Sequence, residues 1–124
     1  MTTYLFQDHI REMLLDTSSD PKCHGDFLSC YLQLARTPAV DREKIARQML
    51  PYLAALLEHP HPEVRRRVVC IFEALGEVAQ AALPTLLKAL GDCDKLTRCL
   101  AIDCLPALAR NVEDVLLDIY KQHL

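Results

Sequence analysis

Shifted by 33 residues, part of this chain falls on itself, and that self-similarity narrows the possible folds more than any single motif. The first copy is Leu50 to Gly76, LPYLAALLEHPHPEVRRRVVCIFEALG. Apolar residues at helical spacing (Leu53, Leu56, Leu57) lead into a loop of His59, Pro60, His61 and Pro62. A second apolar stripe then runs through Val68, Ile71, Phe72 and Leu75. This pattern predicts a helix, a proline-punctuated turn and a helix closed by glycine. The shift lays Leu50 on Leu83, Pro51 on Pro84, Leu53 on Leu86 and Leu57 on Leu90. It also lays Arg65 on Arg98, Val69 on Ile102, Phe72 on Leu105 and Leu75 on Leu108. A helical pair repeated at this period is the mark of an α-solenoid, whose units bury their apolar faces on one another.

The composition is compatible with one such domain. A chain of 124 residues, 51% of them hydrophobic, can form a continuous core and bury roughly 65–70% of its unfolded surface. A net charge of −3 leaves no global basic field to recruit nucleic acid or anionic membrane. The longest uninterrupted apolar run, Met49 to Leu57, is too short to span a bilayer. Met1 to Asp8 has no basic leader followed by an apolar block, so no signal peptide is expected. The six cysteines lie in helical stripes instead of a loop framework, which predicts reduced thiols in a cytoplasmic protein.

Taken in order, the chain opens with a helix capped by Thr3 and running to about Leu15, its apolar face Tyr4, Leu5, Ile10, Met13 and Leu14. Asp16 to Gly25 reads as a polar turn, and a second helix from Asp26 buries Phe27, Cys30, Tyr31 and Leu34. This pair does not follow the repeat register and holds four of the seven aromatics (Tyr4, Phe6, Phe27, Tyr31), as a cap on a solenoid end requires. Asp41 is a good N-cap for the next helix, and Pro51 should kink or split it by removing a backbone donor. A return helix runs from about Pro62 to Leu75, with Pro62 in the first turn and Gly76 closing it. Glu77 to Leu90 follows with an internal Pro84, then a Gly91-Asp92-Cys93-Asp94 turn and a helix holding Leu96, Ala101, Cys104, Leu105 and Leu108. Asn111 caps a last helix, Val112 to about His123. The expectation is all-α, about seven helices in about three antiparallel pairs. Residues 1–36 and 111–124 are the caps of a single domain, and 41–76 and 77–110 are its repeats.

The two copies resemble HEAT repeats, especially the short HEAT-like or bilin-lyase-type kind. The resemblance is carried by Leu50-Pro51-x-Leu53, the HPHPE turn, Val64-Arg65-x-x-Val68, Phe72, Leu75 and Gly76. In the second copy Leu83-Pro84-x-Leu86, GDCD, Thr97-Arg98-x-x-Ala101, Leu105 and Leu108 carry it. It covers about Asp41 to Arg110. Two positions depart from the family pattern: His59 stands for the usual turn aspartate, and Thr97 for the usual valine before arginine. The resemblance implies that Arg65 and Arg98 are structural, each paired with a turn carboxylate of a neighbour, here Asp92 or Asp94.

Candidate chemistry is sparse. Cys23, His24 and Cys30, or His59 and His61, lack the close-paired spacing of zinc ligands, and there is no C-x-x-C or H-E-x-x-H. No metal or other cofactor is expected. Cys30 and Cys104 fall on apolar stripes and read as core fillers. On a helical wheel centred on Val68, Arg66, Cys70 and Glu73 point away from the core, and the shifted set is Cys99, Asp103 and Pro106. Arg67 and Leu100 flank these faces. The second helix of each pair lines the concave side of solenoids of this kind. Arg66, Arg67, Cys70, Glu73, Cys99, Leu100 and Asp103 are therefore the candidate partner-binding residues, the alternative being a merely solvated helix face.

These readings point to a non-catalytic protein-binding module, an adaptor, scaffold or inhibitor, with an immunity-type protein as one form. A preformed surface binds a folded partner or a helix at little ordering cost. The second class is a bilin-lyase-like enzyme or chromophore-handling protein using Cys70 or Cys99. A HEAT-like nucleic-acid-binding protein ranks third, because the Arg65-Arg66-Arg67 run has no stacking aromatics nearby.

Overall fold

The computed structural model describes residues 3–17 and 21–108 together with Leu117 and Lys121, with the backbone alone at 3–6 and 21–24. All regular structure among them is helical. Helices α1 (Thr3–Leu15) and α2 (Pro21–Arg36) form one pair, and α3 (Ala39–Leu56) and α4 (Pro62–Leu75) the next. The chain then passes through a 3-10 segment (Gly76–Ala82), α5 (Leu83–Lys88) and a 3-10 turn (Ala89–Gly91) before α6 (Lys95–Leu108).

The described residues thus fall into five unbroken helical stretches, where the sequence predicts about seven helices. The difference arises mainly at Gly76. Helical bonding runs from Pro62 to Gly91 without a non-helical residue, so the predicted Glu77–Leu90 helix is not a separate element. Its first half is 3-10, and Pro84 sits at the start of α5, where its missing N–H costs nothing. Gly76 still acts as the expected C-cap: its φ of 68° cannot continue an α-helix, so the chain changes direction there. By length and apolarity Pro62–Gly91 could cross a bilayer, but this change of direction and the burial of its apolar side place it in the core. The predicted last helix, Val112 to His123, lies outside the described residues apart from Leu117 and Lys121, which are helical.

Three helix boundaries also differ from expectation. α2 starts at Pro21 instead of Asp26, since proline fits the first helical position. α3 starts at Ala39 with Pro38 at the N-cap, leaving Asp41 in the first turn, where its charge favours the helix dipole. Pro51 neither ends nor splits α3, which continues to Leu56. Pro51 and Arg47 are both exposed, so the carbonyl freed by the missing donor faces water.

Neighbouring elements pack in two series. α1 lies beside α3, and α3 beside the Gly76–Ala82 segment; α2 lies beside α4, and α4 beside α6. One core fills the space between the series. It contains Ile10 and Leu14 of α1, Cys30 and Leu34 of α2, and Met49 and Leu53 of α3. Val68, Phe72 and Leu75 of α4, Leu86 of α5, and Ala101, Cys104, Leu105 and Leu108 of α6 complete it. Phe27 and Tyr31, two of the predicted cap aromatics, pack against it half-buried.

Candidate functional site

The turns before the second helices hold the densest polar network. At the first, His61 N-caps α4: its Nδ1 accepts the Glu63 N–H at 3.1 Å, while His59 Nδ1 accepts the His61 N–H at 3.0 Å. These ring nitrogens serve the turn's own backbone. At the second turn Asp94 caps α6, accepting the Thr97 N–H at 3.0 Å and the Thr97 hydroxyl at 2.7 Å. That hydroxyl gives threonine a use at the position where the first copy carries Val64. Asp92 in turn accepts the Asp94 N–H at 2.8 Å.

Arg65 joins the two turns. Its Nη1 donates to the carbonyls of His59 (2.7 Å) and Pro60 (3.1 Å), and its Nε and Nη2 form a two-pronged bond to the Asp92 carboxylate at 2.9 and 3.1 Å. The pair is largely buried, with side-chain exposures of 10% and 13%. Burial alone would raise the Asp92 carboxyl; the Arg65 guanidinium and the Asp94 N–H overcome it and hold the group below its ordinary value. Arg98 is structural in a different way from that expected. Its Nη1 donates to the backbone carbonyl of Asp92 at 2.6 Å, repeating the Arg65–His59 bond 33 residues on, without a carboxylate. Asp94 pairs instead with Arg66, through two bonds of 2.8 Å, and Arg66 also reaches Glu63 at 3.2 Å. Hydrogen bonds from Arg66 and Thr97 hold the Asp94 carboxyl well below the usual carboxylate range.

The predicted surface row divides on inspection. Arg67 does not belong to it: the residue is 3% exposed. Its guanidinium donates to the carbonyls of Met13 (2.9 Å) and Asp16, lies 5.7 Å from the Phe27 ring and pairs with Glu63 at 3.5 Å. It ties the end of α1 to α4, because the wheel places it on the side that meets α1 and α2. Leu100 packs half-buried against the core. Arg66, Cys70 and Glu73 remain as a partly exposed row on α4, and Cys99 and Asp103 are exposed on α6. Tyr31 of α2 extends the row by donating its hydroxyl to Glu73 at 2.9 Å, a contact that crosses the break in repeat register.

Three of the cysteines sit where burial disfavours the thiolate. Burial, then the nearby Glu73 and Glu63, push the Cys70 thiol up to about 11. Burial likewise raises Cys104 to about 12 and Cys30 to about 11. A thiol with a raised pKa is a poor nucleophile at neutral pH. Cys104 and Cys30 are the core fillers their apolar stripes predict.

Arg42 is a functional-looking residue that periodicity cannot reveal. Its Nη1 donates to the Leu75 carbonyl at 3.3 Å, holding the end of α4. It borders a groove of about 410 Å³ with Ala39, Glu73, Gly76 and Glu77.

A family model described as HEAT repeats matches residues 49–122, more than half of the chain. That span begins inside α3 and reaches beyond the second copy recognised from the sequence. No curated protein and no solved structure matches the chain. With the repeat register, the paired helices and the family match in agreement, the chain belongs to the HEAT-repeat family.

Proposed function

We propose that this chain is a short solenoid of helical pairs that binds another protein through the layer formed by α2, α4 and α6, without catalysis of its own. The observation that carries this reading is the row of Arg66, Cys70 and Glu73 on α4, set between α2 and α6 and continued by exposed Cys99 and Asp103. The row is mixed in charge and rests on a packed scaffold, so a partner meets it at little conformational cost. HEAT repeats are commonly protein-interaction modules. The raised Cys70 thiol supports a non-catalytic role over a lyase-like one that uses Cys70. Unpaired thiols at Cys30, Cys70, Cys93, Cys99 and Cys104 fit a reducing, cytoplasmic setting. Adaptor, scaffold and inhibitor, including an immunity-type protein, are the roles such a surface serves.

Site-directed photocrosslinking tests the reading. A photoreactive side chain at Asp103 is expected to capture a protein partner in the native lysate, and the same group at the exposed Lys44 of α3 is not. Adducts formed from Lys44 and absent from Asp103 would place binding on the opposite layer and refute it.

A further inference from the structure

The charges on the layer of α2, α4 and α6 do not cancel. Arg66, the cation of the α4 row, is fully engaged: Asp94 takes its Nε and Nη2 at 2.8 Å each, and Glu63 takes its Nη1 at 3.2 Å. Two carboxylates on one guanidinium leave that cluster with negative charge in excess. Glu73, two turns further along α4, is oriented by the Tyr31 hydroxyl at 2.9 Å, a neutral donor that leaves the carboxylate charge in place. Asp103 is exposed on α6. Among the described residues no cation forms an ion pair with Glu73 or Asp103. Arg36 and Arg98 stand five residues from Tyr31 and Asp103 respectively, which turns them about 140° away around their helices. Lys95 lies about 12 Å from Asp103 along α6. The apolar part of the layer is on α2, where Leu28 and Leu32, one turn apart, are 55% and 41% exposed. Tyr31 lies between them in the sequence and reaches Glu73, so an apolar pair stands beside a carboxylate of the next helix.

We propose that this layer docks a cationic amphipathic helix of another protein, an inference that rests on the α2, α4 and α6 layer being the binding face. The apolar side of that helix covers Leu28 and Leu32, and lysine or arginine side chains along its edge meet Glu73 and then Asp103. The acidic excess disfavours an acidic protein, a nucleic acid or an anionic membrane, since each brings like charge against Glu73 and Asp103. A helix suits the apolar pair, because apolar residues at i and i+4 present a matching short stripe to it.

The probe is a synthetic amphipathic helix with leucine along one side and lysine along the other, titrated against the full chain by fluorescence anisotropy. A comparison peptide has glutamate for every lysine. The expected result is saturable one-to-one binding of the lysine peptide, with the glutamate peptide at least about tenfold weaker. Glu73→Gln with Asp103→Asn, and separately Leu28→Ser with Leu32→Ser, each weaken the lysine peptide roughly tenfold. Glu43→Gln, at an exposed carboxylate of α3, leaves it unchanged. The substituted side chains are exposed or half-buried, so the variants stay folded, which circular dichroism checks. Equal binding of the two peptides, absence of saturable binding, or an equal loss with Glu43→Gln overturns the inference. With a photoreactive group at Leu32, adducts on the lysine peptide support it. Adducts on residues 109–124 of the same chain, or on a second copy with dimer seen in sedimentation, overturn it by naming a different occupant. A partner captured from Asp103 while the lysine peptide fails to bind overturns this inference and leaves the binding layer standing. Failure of both removes both.

Discussion

Among the residues, three consecutive arginines have three different jobs, and their neighbours decide which. Arg65 is buried against Asp92 and two turn carbonyls, so Arg65→Ala leaves a desolvated carboxylate behind and should cost about 3 kcal/mol in urea unfolding. Arg98→Ala removes one bond to a carbonyl and should cost about 1 kcal/mol. The folded chain holds Asp92 and Asp94 below their ordinary values, so on acidification the unfolded chain takes up these protons first. Their contribution is therefore complete above about pH 5, where unfolded aspartate is almost fully ionised, and is lost as pH falls through the lower folded values. Asp92→Asn should flatten this acid limb of the stability curve, measured from urea midpoints between neutral pH and about pH 3. The structural role of Arg65 was readable from its repeat position. The burial of Arg67 was not, because its partners are backbone carbonyls of Met13 and Asp16, which no residue type announces. A wheel centred on Val68 sees one helix and not the helices on either side of it.

For the elements, the legible signals were apolar period and proline position, and the illegible ones were those that depend on neighbours. The Pro62–Leu75 helix and its glycine stop follow from the local code alone. The sequence places Pro84 inside a Glu77–Leu90 helix, whereas a 3-10 segment brings the chain to it and α5 starts there. Gly76 makes that change of direction possible. A Cβ added there would lie 3.4 Å from Arg42 Nη1, on a backbone with a φ of 68°. With ψ at −143° this is a conformation nearly reserved for glycine, so Gly76→Ala should cost about 1–3 kcal/mol, and thermal melting should register it. At Arg67 the relevant change is Arg67→Glu together with Arg66→Glu. An outward pair would tolerate that double reversal. Here it places a carboxylate against the α1 carbonyls and repels Asp94, and a loss of more than about 3 kcal/mol is expected in urea unfolding.

Across the whole molecule, the account rests on a division between residues that hold successive pairs together and residues that face outward. Arg65, Arg67, Asp92 and Asp94 belong to the first group, and Cys70, Glu73, Cys99 and Asp103 to the second. The repeat made the paired architecture legible, while an outward row of mixed charge names no ligand by its residue types. The cysteines give a native readout of the division. Cys93 lies exposed on the Asp92–Asp94 turn and Cys99 exposed on α6, while Cys30 and Cys104 are buried. The decisive measurement is alkylation of each cysteine, read by mass spectrometry, in the purified chain and in its complex isolated from the native lysate. The account predicts that Cys93 and Cys99 react readily in the free chain, and that the complex protects Cys99 while Cys93 keeps its rate. Protection of Cys93 with Cys99 unchanged would contradict it.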